Sequence, residues 1–111
     1  MSTFDDIKKI QQDLLLGQTT PGILAEHRIK LSGYYAFLSE RLEGVLALKP
    51  AVWNEMRPKY KSDTACERVW EASEKGIEEL KLRMALRRID KMTGAISSLL
   101  RVKENEARNL M

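Results

Sequence analysis

Apolar residues recur at helical spacing through the C-terminal half of the chain. Leu82, Ala85, Leu86, Ile89, Met92, Ile96, Leu99 and Leu100 fall on one side of a helix. With Leu82, Ile89 and Ile96 at position a of a heptad, Ala85, Met92 and Leu99 fall at d, and Leu86 and Leu100 widen the stripe at e. The stretch from Ser62 to Asn109 holds no proline, and its only glycines are Gly76 and Gly94. The pattern therefore predicts one long helix over 62–109, with Gly76 as the point where it would bend. A second seam precedes it: Leu24, Leu31, Leu38 and Val45 repeat every seven residues, with Tyr34 and Leu48 at d and Tyr35 and Leu42 at e. This predicts a helix over 21–48, capped by Thr20 and opened by Pro21. A shorter helix over 1–17 is predicted from Ile7, Ile10 and Leu14, with Thr3 as N-cap, Asp5 and Asp6 in the first turn, and Gly17 as the stop.

Between the two seams, Pro50 is expected to end the second helix, because the residue before a proline is pushed out of the α region. Residues 51–56 then read as a short helix. The whole of 49–61 reads as a basic connector, with 57–61 exposed, after which Ser62, Asp63 and Thr64 offer three candidate caps and Thr64 with Glu67 fits a capping box. No segment alternates with period two, so the fold class is all-α: a helical hairpin with one long C-terminal helix. A helix of about 45 residues would span roughly 68 Å, whereas a compact domain of this size has a radius of gyration near roughly 13 Å. That mismatch predicts a coiled-coil-like homo-oligomer, with Leu82, Leu86, Ile89, Met92, Ile96 and Leu99 as its interface.

Composition narrows the function. The 111 residues fit one domain; 32% are charged and 6% aromatic. No apolar run, Leu14-Leu15-Leu16 included, is long enough to span a bilayer, and no secretory signal is visible. Neither a membrane nor a cofactor is therefore expected. A lone cysteine, Cys66, excludes an internal disulfide and suits a reducing cytoplasm. With His27 as the only histidine, it cannot build a structural zinc site. No phosphate-cradling glycine loop and no Glu-x-x-His pattern is present, so the chain reads as a non-enzyme.

The net charge of +3 is unevenly spread. Glu67, Glu71, Glu74, Glu78 and Glu79 form an acidic stretch; Lys81, Arg83, Arg87, Arg88 and Lys91 form a cationic ridge with Asp90 as the one acid among them. Arginine suits phosphate because its planar fork donates two parallel hydrogen bonds. The competing reading has the acidic stretch of a neighbouring subunit neutralise the ridge. In the connector, Arg57, Lys59, Tyr60 and Lys61 mix cations with a ring, the pair of properties that holds single-stranded nucleic acid. Trp53, Trp70, Tyr34 and Tyr35 read as core.

The order of these parts resembles a known family. An acidic N-terminal helix (Phe4-Asp5-Asp6-Ile7) precedes a helix bearing Lys30-Leu31-Ser32-Gly33-Tyr34-Tyr35. A basic aromatic connector then leads to a long helix containing Arg88-Ile89-Asp90-Lys91-Met92-Thr93-Gly94-Ala95-Ile96. In this it is similar to the phage UvsY-type recombination mediators. The resemblance implies a small helical protein that forms rings, binds single-stranded DNA and helps load a RecA-like recombinase in the cytoplasm of a bacterial host. Arg57, Lys59 and Tyr60 fall on that family's Lys/Arg-rich, tyrosine-bearing DNA-binding segment, which Pro58 interrupts. The first reading is thus an oligomeric single-strand-DNA-binding accessory protein; the alternative is a helical scaffold, assembly chaperone or regulator that binds no nucleic acid.

Overall fold

A computed structural model describes residues 2–17 and 19–109. Among them the chain forms four helices and no strand: α1 (Thr3–Leu16), α2 (Pro21–Met56), α3 (Asp63–Ala72) and α4 (Glu74–Asn109). The fold is all-α, as the heptads require.

The caps show why the helices begin and end where they do. The α1 cap is Ser2, one residue before the predicted Thr3: the Asp5 N–H donates to Ser2 Oγ at 3.2 Å. Gly17 ends α1 in the left-handed region (φ 69°), and its N–H reaches Leu14 O at 3.3 Å. Thr20 caps α2 as expected, accepting from the Ile23 N–H at 3.2 Å.

Three boundaries differ from the sequence reading. First, Pro50 does not end α2, which runs on to Met56. A proline inside a helix removes one backbone bond and costs about 3 kcal/mol, but the turns beyond it are held by packing. Met56 is buried, and Lys49 Nζ lies over the rings of Trp53 and Trp70, 5.5 and 5.6 Å from their centroids. The connector therefore shrinks to residues 57–62. Second, of the three candidate caps of α3 Ser62 is the one used, accepting from the Ala65 N–H at 3.1 Å, and the Thr64–Glu67 box does not form the cap. Third, the predicted helix over 62–109 is two helices. Ser73 is extended (ψ 161°) and serves both ends: its hydroxyl donates to Trp70 O and accepts from the Gly76 N–H at 3.1 Å. Gly76 does not bend a helix; it lets two backbones meet. A Cβ there would run into the Trp70 carbonyl and stand 2.9 Å from Glu71 Cα.

The chain divides into two units, 1–36 with 87–111 and 37–86. In the first, Ile7 and Ile10 of α1 share a core with Leu24, His27 and Leu31 of α2 and with Ile89, Met92 and Ile96 of α4. Here α2 and α4 run antiparallel: Lys103 Nζ donates to Thr19 O at 3.0 Å, while Ser32 and Tyr35 face the same groove as Ile89 and Thr93. Tyr34 OH donates to Asp6 Oδ2 at 3.4 Å, which ties α2 to α1. In the second unit, Leu38, Val45 and Met56 of α2 pack with Cys66 and Trp70 of α3 and Leu82 and Ala85 of α4.

This burial corrects the predicted oligomer interface. Leu82, Ile89, Met92 and Ile96 are each at most 8% exposed in the single chain. The chain's own helices cover the seam, so any contact between copies must use other residues. Leu86 is half-buried, and of the predicted interface only Leu99 is exposed. No helix among the described residues is long and apolar enough to cross a membrane.

Candidate nucleic-acid interface

The predicted cations fall into three environments. In the second unit, Arg57 is already engaged, its Nη1 lying 2.6 Å from Asp63 Oδ1. Lys59 and Lys61 beside it are exposed and without an acidic partner among the described residues. Tyr60 presents part of its ring to solvent, while its carbonyl accepts from Cys66 Sγ. Arg83, also in this unit, donates from Nε to Glu79 Oε2 at 3.0 Å. In the first unit, Arg87, Arg88 and Lys91 are all exposed and have no acidic partner among the described residues.

The acidic stretch explains why Arg83 differs from its neighbours. Glu79 collects three groups: Trp70 Nε1 donates to it at 3.0 Å, Arg83 lies on its second oxygen, and Lys49 Nζ is 3.8 Å away. Glu78 takes Arg41 at 3.0 Å and Lys75 at 3.4 Å, and Glu67 takes Lys49 at 3.6 Å. These carboxylates are used within the second unit. The predicted neutralisation of the ridge by a neighbour's acids is left with Glu71 and Glu74, which have no partner among the described residues.

Glu79 also sets a pH dependence. Partial burial pushes its carboxyl up, but the hydrogen bonds from Trp70 and Arg83 and the nearby Lys49 more than offset this and hold it below the ordinary carboxylate value. A carboxyl depressed in the folded state stabilises above its unfolded pKa, and that stability is lost as pH falls through the folded value. Glu79→Gln is therefore expected to lower stability at pH 7, with the deficit shrinking between pH 5 and pH 3. Urea unfolding of both proteins across that range checks it; a deficit that does not change with pH would mean that Glu79 acts through packing.

The first unit also holds a feature that the heptads did not reveal. Arg28, Ile29, Ser32 and Tyr35 of α2 and Ile89, Asp90 and Thr93 of α4 line an open groove of about 440 Å³. The sequence reading placed Tyr35 at a core e position, but 39% of it is exposed. Arg28, Ser32 and Tyr35 stand at i, i+4 and i+7, a polar and aromatic row beside the buried seam; that spacing is the signal by which the groove could have been found. No group of three or more His, Cys, Asp or Glu residues that could hold a metal occurs among the described residues, and Cys66 is fully buried.

No family model, curated protein or solved structure matches this chain.

Proposed function

We propose that this chain binds the phosphate backbone of single-stranded DNA without reading its sequence, as an oligomeric accessory protein of phage-like recombination or replication. The observation that carries the reading is the uncompensated trio Arg87, Arg88 and Lys91. Like charges one turn apart repel by a few tenths of a kcal/mol per pair, at about 0.2–0.5. Among the described residues none of the three has an ion-pair partner, whereas Arg41, Lys49, Arg57, Lys75 and Arg83 of the second unit each meet a carboxylate; a polyanion would offset the repulsion within the trio. Lys59, Lys61 and Tyr60 supply a second patch of the same chemistry. Arg57, held by Asp63, contributes less than its sequence position suggests. A RecA-like recombinase is the protein partner that the resemblance to UvsY-type mediators implies.

Phosphate binding is recognised by its salt dependence. For single strands each phosphate contact adds about 0.7 to the slope of log affinity against log salt. Replacing Arg87, Arg88 and Lys91 together by alanine is expected to lower that slope by about 2 and to weaken binding at low salt, with helicity unchanged. Equal affinities for wild type and variant across the titration would remove the trio from the site.

One observation favours the second reading, a helical scaffold or regulator. On α4 of the second unit, Ile77, Leu80 and Met84 stand at i, i+3 and i+7 and are 45%, 59% and 47% exposed. An apolar row of this kind suits protein docking. Binding that ignores salt and oligonucleotide, together with self-association that Leu80→Asp abolishes, would select that reading.

A further inference from the structure

We propose that the groove of the first unit receives one unstacked nucleobase, with Tyr35 as its stacking platform, Arg28 on the adjoining phosphate and Asp90 accepting from the exocyclic amino group of the base. This rests on the single-strand reading above and names what that reading leaves open: how the protein tells a single strand from a duplex, and which bases it holds best.

The adjacent tyrosines do different work. Tyr34 is tied to Asp6 through its hydroxyl, whereas Tyr35 is 39% exposed and has no hydrogen bond among the described residues. A ring lying along a groove wall with part of its surface in water is available for stacking. Arg28 is exposed and lacks an acidic partner among the described residues. It precedes Tyr35 by seven residues, two turns or about 10.5 Å along α2, so the groove has a cation towards one end and a ring towards the other. A volume of about 440 Å³ lies within the roughly 300–1,000 Å³ of sites that hold small organic molecules. A base stacked and paired inside a duplex cannot enter it without being flipped out, which costs a few kcal/mol.

Asp90 fixes the orientation. It is the one carboxylate in the groove and has no ion-pair partner among the described residues, although Arg87 and Lys91 flank it on α4. Within the groove Arg28 is the cation and Asp90 the carboxylate, so the adjoining phosphate belongs at Arg28 and the base edge at Asp90, while Arg87, Arg88 and Lys91, which are not part of the groove lining, hold phosphates outside it. A carboxylate accepts from an amino group such as cytosine N4. Ser32 and Thr93 add hydroxyls that can serve the carbonyl edge. Thymine has no exocyclic amino group, so the groove should hold cytosine more tightly than thymine.

The test is fluorescence anisotropy at one low salt concentration with three labelled 20-mers: oligo-dC, oligo-dT and an abasic deoxyribose-phosphate strand. Wild type is expected to bind oligo-dC best, oligo-dT less well and the abasic strand least. Tyr35→Ala should weaken both base-bearing strands by about tenfold, within the range for loss of one stacked base, and leave the abasic strand and the salt slope unchanged. Asp90→Ala should bring the dC/dT affinity ratio to one, whatever the loss of a negative charge does to affinity in general. Circular dichroism should show both variants folded, since both side chains are exposed. If wild type binds the abasic strand as tightly as the other two and releases it with salt, the groove proposal fails while the phosphate reading stands. If it binds none of the three, both fail.

Discussion

Gly76→Ala is expected to destabilise this protein by about 3 kcal/mol or more, a large effect for one methyl group. Forcing extra volume into a packed site usually costs about 1–3 kcal/mol. Here the obstacle is backbone and not a flexible side-chain end: the new Cβ meets the Trp70 carbonyl and Glu71 Cα. Relief would require α3 and α4 to part at Ser73, which would break the Ser73 hydroxyl bridge between Trp70 O and the Gly76 N–H. It would also disturb the bond from Trp70 Nε1 to Glu79. Gly44→Ala is the control. Gly44 lies inside α2, and a Cβ there meets nothing within 4 Å. Alanine exceeds glycine in helix propensity by about 1 kcal/mol, so this change should stabilise by up to that amount. Urea unfolding of the two variants should therefore move in opposite directions from wild type. A Gly76→Ala protein as stable as wild type would show that the α3–α4 corner is looser than its geometry.

The heptads carried the core faithfully. Leu24, Leu31, Leu38 and Val45 on α2, and Leu82, Ile89 and Ile96 on α4, are all at most 4% exposed. Periodicity identifies which face of a helix must be covered, but not what covers it. An intermolecular seam follows from chain length only if 62–109 is one unbroken helix. With that helix divided at Ser73, α2 and α4 are 36 residues each, and each finds cover inside the chain. Neither misjudged boundary could be read locally. Pro50 is overruled by tertiary contacts of Lys49, Trp53 and Met56, and Ser73 breaks a segment that contains no proline and whose nearest glycine lies three residues on. The ridge was legible as a charge row, but its division was not. Arg83 has an acid four residues earlier in Glu79, while Arg87 has Arg83 in that position and Lys91 has Arg87. The ion pair of Arg57 was not legible, because its partner Asp63, six residues on, meets it only through the turn at 57–62. The groove escaped because its two walls lie far apart in sequence and Tyr35 was counted with the core.

Ile89→Asp distinguishes a seam used inside the chain from one used between chains. Ile89 is 2% exposed and lies in the core shared by α1, α2 and α4 in the first unit. An aspartate there would be desolvated without a built partner, and an unpaired buried charge costs several kcal/mol, about 3–5 when a buried pair is broken. Domains of this size are stable by only about 5–15 kcal/mol, so the first unit should lose much of its helicity at room temperature. Leu80→Asp places the same charge on a residue that is 59% exposed. An exposed substitution of this kind usually shifts stability by no more than about 0.5 kcal/mol, so helicity and melting should stay near wild type. Any self-association that uses the row Ile77, Leu80 and Met84 would weaken in that variant, and sedimentation would report it as a fall in mass. The two variants thus separate folding from assembly. Ile89→Asp should fail by circular dichroism at every protein concentration, because the cover it disrupts belongs to its own chain. An Ile89→Asp protein that kept wild-type melting but lost mass would return the seam to the interface between copies.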